Sequence, residues 1–269
     1  MRDFIQSLPK AELHLHIEGS LEPKMLLDLA KRNNIKLKYN NIEEVIAAYK
    51  FNDLQGFLDL YYYGMSVLIS EQDFYDLTYA YLAKAKSENI IYAEIFFDPQ
   101  AHISRGVSFA AIINGISRAM DEANVKIGIA SNLIMCFLRD LTEESAMDTL
   151  QLALDYRNKF IGIGLDSAET GNPPQKFKNV FNVARDAELK LVAHAGEEGP
   201  VEYIWQAIDI LGVDRIDHGN KTITDKELTK RLAKDKIALT MCPLSNLALH
   251  IVNDLKEHPA KLKGYLAHG

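Results

Sequence analysis

His14 and His16 stand two residues apart in Glu12-Leu13-His14-Leu15-His16-Ile17, an apolar run close to the N-terminus. Read as a strand, this run turns both imidazoles to one face, where they can reach a single metal ion. Ala193-His194-Ala195-Gly196-Glu197 and Arg215-Ile216-Asp217-His218-Gly219 each close another short apolar run. Neutral imidazoles suit zinc, and also iron, cobalt or manganese. A catalytic ion keeps an open position for water and lowers the pKa of that water towards ~7. His14, His16 and His194 can supply the protein nitrogens, with Glu197 as a proton donor and acceptor rather than a ligand. His218, beside Asp217, can orient or deprotonate the attacking water.

Simpler roles compete with each of these. The first two histidines could be core residues bonded to carbonyls, and Glu197 could cap a helix starting near Val201. Glu198 reads as a solvent-facing neighbour and Asp217 as a structural hydrogen-bonding partner. His250, His258 and His268 lie in a polar C-terminal stretch and read as surface residues, the reading also favoured for His102. Tyr61-Tyr62-Tyr63 reads as helix packing, with one ring available to line a pocket.

The elements that must position these groups alternate along the chain. Strands are expected over Ala11–Ile17, Ile90–Phe97, part of Ile127–Leu138, Phe160–Leu165, Lys190–Ala195, Arg215–His218 and Ile237–Pro243. Amphipathic helices are expected over Pro23–Arg32, Asp53–Ile69, Glu71–Ser87, Ser108–Ala123, Glu143–Tyr156, Pro174–Ala187, Val201–Leu211 and Asp225–Lys234. Pro23 and Pro174 suit first turns. Thr142 and Thr224 suit helix starts, the latter in a capping box with Glu227. Strand–helix alternation implies parallel strands joined by right-handed crossovers. Without a glycine-rich phosphate loop, it favours a TIM-like (β/α) barrel over a dinucleotide fold. Asp98, Asp166, His194, His218 and Cys242 then fall at strand C-terminal ends, the face that carries active sites in such barrels. We read one barrel domain over residues 1–269, with a helical cap insertion over about 22–87.

A 269-residue chain with 48% hydrophobic and 25% charged residues fits an ordinary globular core. Its net charge of −7 argues against nucleic acid or an anionic membrane as partner. Cys136 and Cys242, each inside an apolar run, read as free buried thiols of a reducing, cytoplasmic compartment. No export signal or membrane-spanning run is visible.

The motifs are long enough to identify a relationship. Leu8-Pro9-Lys10-Ala11-Glu12-Leu13-His14-Leu15-His16-Ile17-Glu18-Gly19-Ser20, His194-Ala195-Gly196-Glu197, Arg215-Ile216-Asp217-His218-Gly219 and Cys242-Pro243-Leu244-Ser245-Asn246 resemble the adenosine/adenine deaminases of the amidohydrolase superfamily. The resemblance implies one zinc ion per chain on His14, His16 and His194. It implies that Glu197 delivers a proton to the purine nitrogen beside the reacting carbon, and that His218 positions the hydroxide that attacks C6. It also implies substrate contacts from Glu18, Asp166 and Ser167. The cytidine-type His-x-Glu and Pro-Cys-x-x-Cys pattern is absent. The segments Leu165–Pro174 and His194–Pro200 look like the free-base branch. Adenine to hypoxanthine and ammonia, in purine salvage, is therefore favoured over adenosine to inosine.

Family members continue beyond this end into an eighth strand carrying Ser-Asp-Asp-Pro, which supplies a carboxylate to the zinc. This chain stops at Ala267-His268-Gly269 and contains no Asp-Asp pair. A remnant of seven strands with two exposed edges and impaired catalysis is the expectation, and a catalytically dead binding fragment is the alternative from another class. An amide- or ester-hydrolysing barrel is a third reading. Against it, no lysine lies between Phe160 and Asp166, where such enzymes often carry a bridging one. The sequence sets no oligomeric state.

Overall fold

The computed structural model describes residues 1–51 and 53–254. Strands β1 (Lys10–His16), β2 (Ile90–Phe97), β3 (Ala130–Leu138), β4 (Gly162–Asp166), β5 (Lys190–Ala195), β6 (Arg215–His218) and β7 (Ala238–Thr240) follow one another in chain order. The chain divides into two compact units. The first comprises Met1–Tyr49, Leu60–Cys136 and Gln151–Ile161; the second comprises Lys50–Asp59, Phe137–Leu150 and the residues from Gly162 onward.

In the first unit β1 pairs with β2 and β2 with β3, all parallel. His16 lies opposite Phe96, just past a register irregularity between Glu12 and Leu15. Phe74, Leu77, Leu82, Ile95 and Phe96 are among its fully buried side chains. In the second unit β4, β5, β6 and β7 pair in parallel succession. The β5–β6 register sets His194 opposite Asp217 and Ala195 opposite His218. Ile163, Phe177, Phe181 and Ala193 are fully buried there. Such near-continuous apolar burial is what parallel strands covered on both faces require.

Most predicted elements form where expected, and β2, β5, β6 and the helices Pro23–Arg32 and Glu71–Ser87 keep the predicted bounds. Among the described residues, the interval expected to form a cap holds the helices Pro23–Arg32, Ile42–Ala48, Leu54–Met65 and Glu71–Ser87. Other bounds shift by a few residues, and three of the local differences have a plain physical cause. The last strand shortens to Ala238–Thr240 because Pro243 opens a helix, Pro243–Ala248, instead of extending a ladder in which it could not donate. The segment from Pro174 begins as a 3-10 turn to Phe177 before the α-helix Lys178–Asp186. Finally, the helix Lys226–Asp235 is capped by Asp225, which accepts from the backbone of Glu227 and Leu228. The expected cap, Thr224, ends a preceding 3-10 turn one position too early to cap, and its hydroxyl donates to the Lys221 carbonyl at 2.7 Å. Among the described residues no helix is long and apolar enough to cross a membrane.

Candidate functional site

The first unit gathers one set of predicted residues around the end of β1. His14 and His16 have ring centroids 5.6 Å apart, and both rings pack on Phe96, at 5.3 and 4.9 Å. The 3-10 turn Ile17–Ser20 follows and buries Glu18. The Glu18 Oε1 accepts the backbone N–H of Asp98 at 3.0 Å and faces the Nε2 of His102 at 3.1 Å. Arg105 Nη2 lies 2.7 Å from the Nδ1 of His102. Guanidinium nitrogens only donate, so His102 accepts at Nδ1 and presents its Nε2–H to Glu18. Burial pushes the Glu18 carboxyl up, but the hydrogen bonds from His102 and from the Asp98 amide outweigh it, leaving the carboxyl below its ordinary range. The Tyr61 hydroxyl reaches both Asp98 Oδ2 (3.0 Å) and Glu18 Oε2 (3.3 Å).

His102 is therefore no surface residue: it is fully buried, held by Phe74 edge-on and by the Glu18–Arg105 pair. Its sequence context, a short helix after Pro99, gave no sign of the carboxylate waiting more than eighty positions upstream. A cavity of about 1120 Å³ in this unit, lined by Glu12, Leu15, Leu21, Tyr49 and Tyr81 among others, includes neither His14, His16 nor Glu18.

The second unit gathers the rest. Asp166 ends β4 and is buried, and Ser167 after it adopts φ 72°. The Nδ1 of His194 lies 3.1 Å from the Leu165 carbonyl, so Nδ1 carries the proton and Nε2 the lone pair. His194 and His218 have ring centroids 5.2 Å apart. Glu197 Oε1 is 3.5 Å from His218 Nε2, and both side chains are buried. His218 takes φ 70°, a left-handed conformation rare for so large a residue and costing about 1–3 kcal/mol. Ser167 and His218 share this left-handed conformation, each at or just past the end of its strand.

Asp217 is fully buried and accepts from Thr240 Oγ1 (2.6 Å) and Arg215 Nε (3.0 Å). Burial pushes its carboxyl up, opposed by Arg215, Thr240 and His218. Glu197 does not cap the next helix, whose N-cap is Pro200. Glu198 is half-buried rather than solvent-facing, its carboxyl raised by burial and by the nearby carboxylates of Glu197, Glu169 and Asp53. His250 is exposed, while His258 and His268 lie outside the described residues. Two residues that sequence reasoning passed over, Arg139 and Glu169, are also buried in this unit.

Parallel strands alternating with helices, with histidines and carboxylates at the strand ends, place the chain in the TIM-like (β/α)-barrel class of metal-dependent hydrolase type, with seven strands among the described residues. Comparison with known proteins narrows this. The adenosine deaminase family model matches residues 9–266, and the chain belongs to that family of aminohydrolase enzymes. It is 57% identical over 261 residues to an adenine deaminase of Ralstonia pickettii, covering 96% of this chain and 76% of the relative. It is 55% identical over 258 residues to an adenine deaminase of Hahella chejuensis, covering 96% and 77%. Among solved structures, the crystal structure of adenine deaminase from Arthrobacter aurescens matches with a TM-score of 0.94 at 49% identity, covering 97% of this chain and 79% of that one. An amidohydrolase from Burkhoderia ambifaria with bound zinc matches with a TM-score of 0.83 at 29% identity, over 90% and 67%.

Proposed function

We propose that this chain hydrolyses adenine to hypoxanthine and ammonia. The observation that carries the chemistry is the buried Glu197–His218 pair, 3.5 Å apart after β5 and at the end of β6. A carboxyl and an imidazole so placed can hold a proton on one partner and accept one on the other, which addition of water and expulsion of ammonia both need. The choice of adenine rests on the relatives named adenine deaminases, at 53–57% identity.

We assign one zinc ion to the chain, with His14, His16 and His194 as its protein nitrogens. Supporting this, the Leu165 carbonyl fixes the His194 tautomer that offers Nε2, and one similar amidohydrolase holds zinc. When bound, zinc supplies a Lewis acid that makes water nucleophilic at neutral pH. Glu197 holds the proton destined for the ring nitrogen next to C6. His218 orients the attacking water and receives its proton. Glu18, Asp166 and Ser167 fix the purine, with the Glu18 charge kept available by His102. We place the reaction in cytoplasmic purine salvage.

Ammonia release from adenine and, separately, adenosine by the zinc-loaded chain tests this reading. Adenine is expected to be the better substrate, and Glu197→Gln is expected to lower kcat by about 10²–10⁴-fold. Preference for adenosine, or full activity in Glu197→Gln, would overturn the assignment.

A further inference from the structure

We propose that Glu169 is a positioning residue for the proposed deamination, its carboxylate serving as the internal anion around which the loop carrying Glu197 is folded. The inference builds on the role given to Glu197 above, but its geometry stands apart from that role.

Glu169 follows β4, and its side chain is 1% exposed. Its Oε1 accepts the backbone N–H of Gly196 at 2.6 Å, and its Oε2 accepts those of Glu198 at 2.9 Å and Gly199 at 2.8 Å. Three main-chain donors from one four-residue stretch thus converge on one carboxylate. That is the anion-binding concavity formed when consecutive amides turn inward, here filled by a side chain of the same protein. Only glycine lets the loop come so close. Gly196 sits at φ 69°, and a Cβ at Gly199 would lie 2.6 Å from the Cδ of Glu169. Glu197 stands between the clamped amides, so the carboxylate fixes the backbone on both sides of it.

A second contact holds the same stretch from its other end. Arg139, fully buried just after β3, donates through Nη1 to the His194 carbonyl at 2.7 Å and through Nε to the Asn172 carbonyl at 2.9 Å. Burial lowers the pKa of this guanidinium, and the Glu169 charge is the leading influence opposing that. Asn172 closes the circuit by donating its backbone N–H to the Glu169 carbonyl at 3.1 Å. The segments after β3, β4 and β5 are tied together by main-chain contacts, and none of these side chains needs to touch substrate. Their expected contribution is to kcat, through the placement of Glu197.

Glu169→Gln tests this, because an amide keeps the shape but offers one acceptor oxygen and turns an NH₂ towards backbone donors. Hydrogen exchange on the full chain is the first measurement. Protection of the Gly196, Glu198 and Gly199 amides is expected to fall together, while that of β5 amides such as Val192 is retained. Steady-state kinetics with adenine are the second: kcat is expected to fall about 100-fold, as misplacement of a catalytic group does, with KM little changed. Gly199→Ala presses on the carboxylate from the opposite side and is expected to give the same pair of effects, which guards against a Glu169 variant that merely fails to fold. Unchanged exchange at the three amides, or loosened amides with unchanged kcat, overturns the proposal. Absence of adenine turnover in the unsubstituted chain overturns only the deaminase reading, since exchange still decides whether Glu169 holds the loop.

Discussion

Glu18 and His102 show how far a side chain's chemistry depends on partners distant in sequence. Removing the imidazole by His102→Ala leaves a buried carboxylate short of one donor, and losing a hydrogen bond to a charged group costs about 1.5–3 kcal/mol. Urea unfolding at neutral pH is expected to register a loss of that order; a loss below about 1 kcal/mol would mean the pair is dispensable. Cys242 is a quieter case. Burial, then the charges of Asp217 and Glu197, push its thiol up to about 12. At pH 8 only about one molecule in 10⁴ would then carry the reactive thiolate. Cys136 is fully buried in β3. Neither thiol is expected to react with a disulfide reagent at pH 8 until the chain unfolds, a point settled by counting labelled thiols before and after adding denaturant.

At the scale of elements, the start of the helix Glu71–Ser87 is heavily bonded. Ser70 and Asp73 form a reciprocal capping box. The buried Asp73 carboxylate also accepts from Ile69 N (3.1 Å), Ser70 N (2.7 Å) and Asn33 Nδ2 (3.0 Å), and pairs with Arg32. Burial alone would raise its pKa, but the Arg32 and Ser70 bonds outweigh it and the carboxyl titrates below its ordinary value. A depressed carboxyl contributes stability above the unfolded pKa of ~3.9, and that contribution is lost as pH falls through the folded value. Asp73→Asn is therefore expected to cost about 1–3 kcal/mol at pH 7. The gap between variant and parent should narrow steadily as pH falls below the unfolded value and through the lower folded one, as urea midpoints across pH will show. A gap independent of pH would mean that shape, not charge, matters at this cap.

For the whole molecule, the family relationship makes metal a question of stability as well as of activity. A ligand that binds only the folded chain stabilises it by about 2.7 kcal/mol at a hundredfold excess over its Kd. Chelation is therefore expected to lower the melting temperature by several degrees and zinc to restore it, with no zinc response in His194→Ala. An identical response in that variant would remove His194 from the proposed ligand set. The chain spans about three quarters of the length of the adenine deaminases it resembles, 76–77% for the two from Ralstonia pickettii and Hahella chejuensis.

The sequence by itself determined the alternation of strands and helices, because apolar periodicity and helix-breaking residues act locally. It likewise placed His14, His16, His194 and His218 at strand ends, since a motif such as His-x-His carries its geometry within three residues. Only the tertiary structure decided the rest. Thr224 loses its expected capping role to Asp225 because a 3-10 turn runs through Thr224 and the helix starts only at Lys226. His102 is buried because Glu18 and Arg105 meet it from two sides. Glu169 becomes the centre of a loop 27 to 30 positions away through three backbone amides, groups that every residue but proline carries and that no side-chain pattern can reveal. Local periodicity is written in residue types; long-range partnership depends on where the folded backbone brings its own N–H and C=O groups.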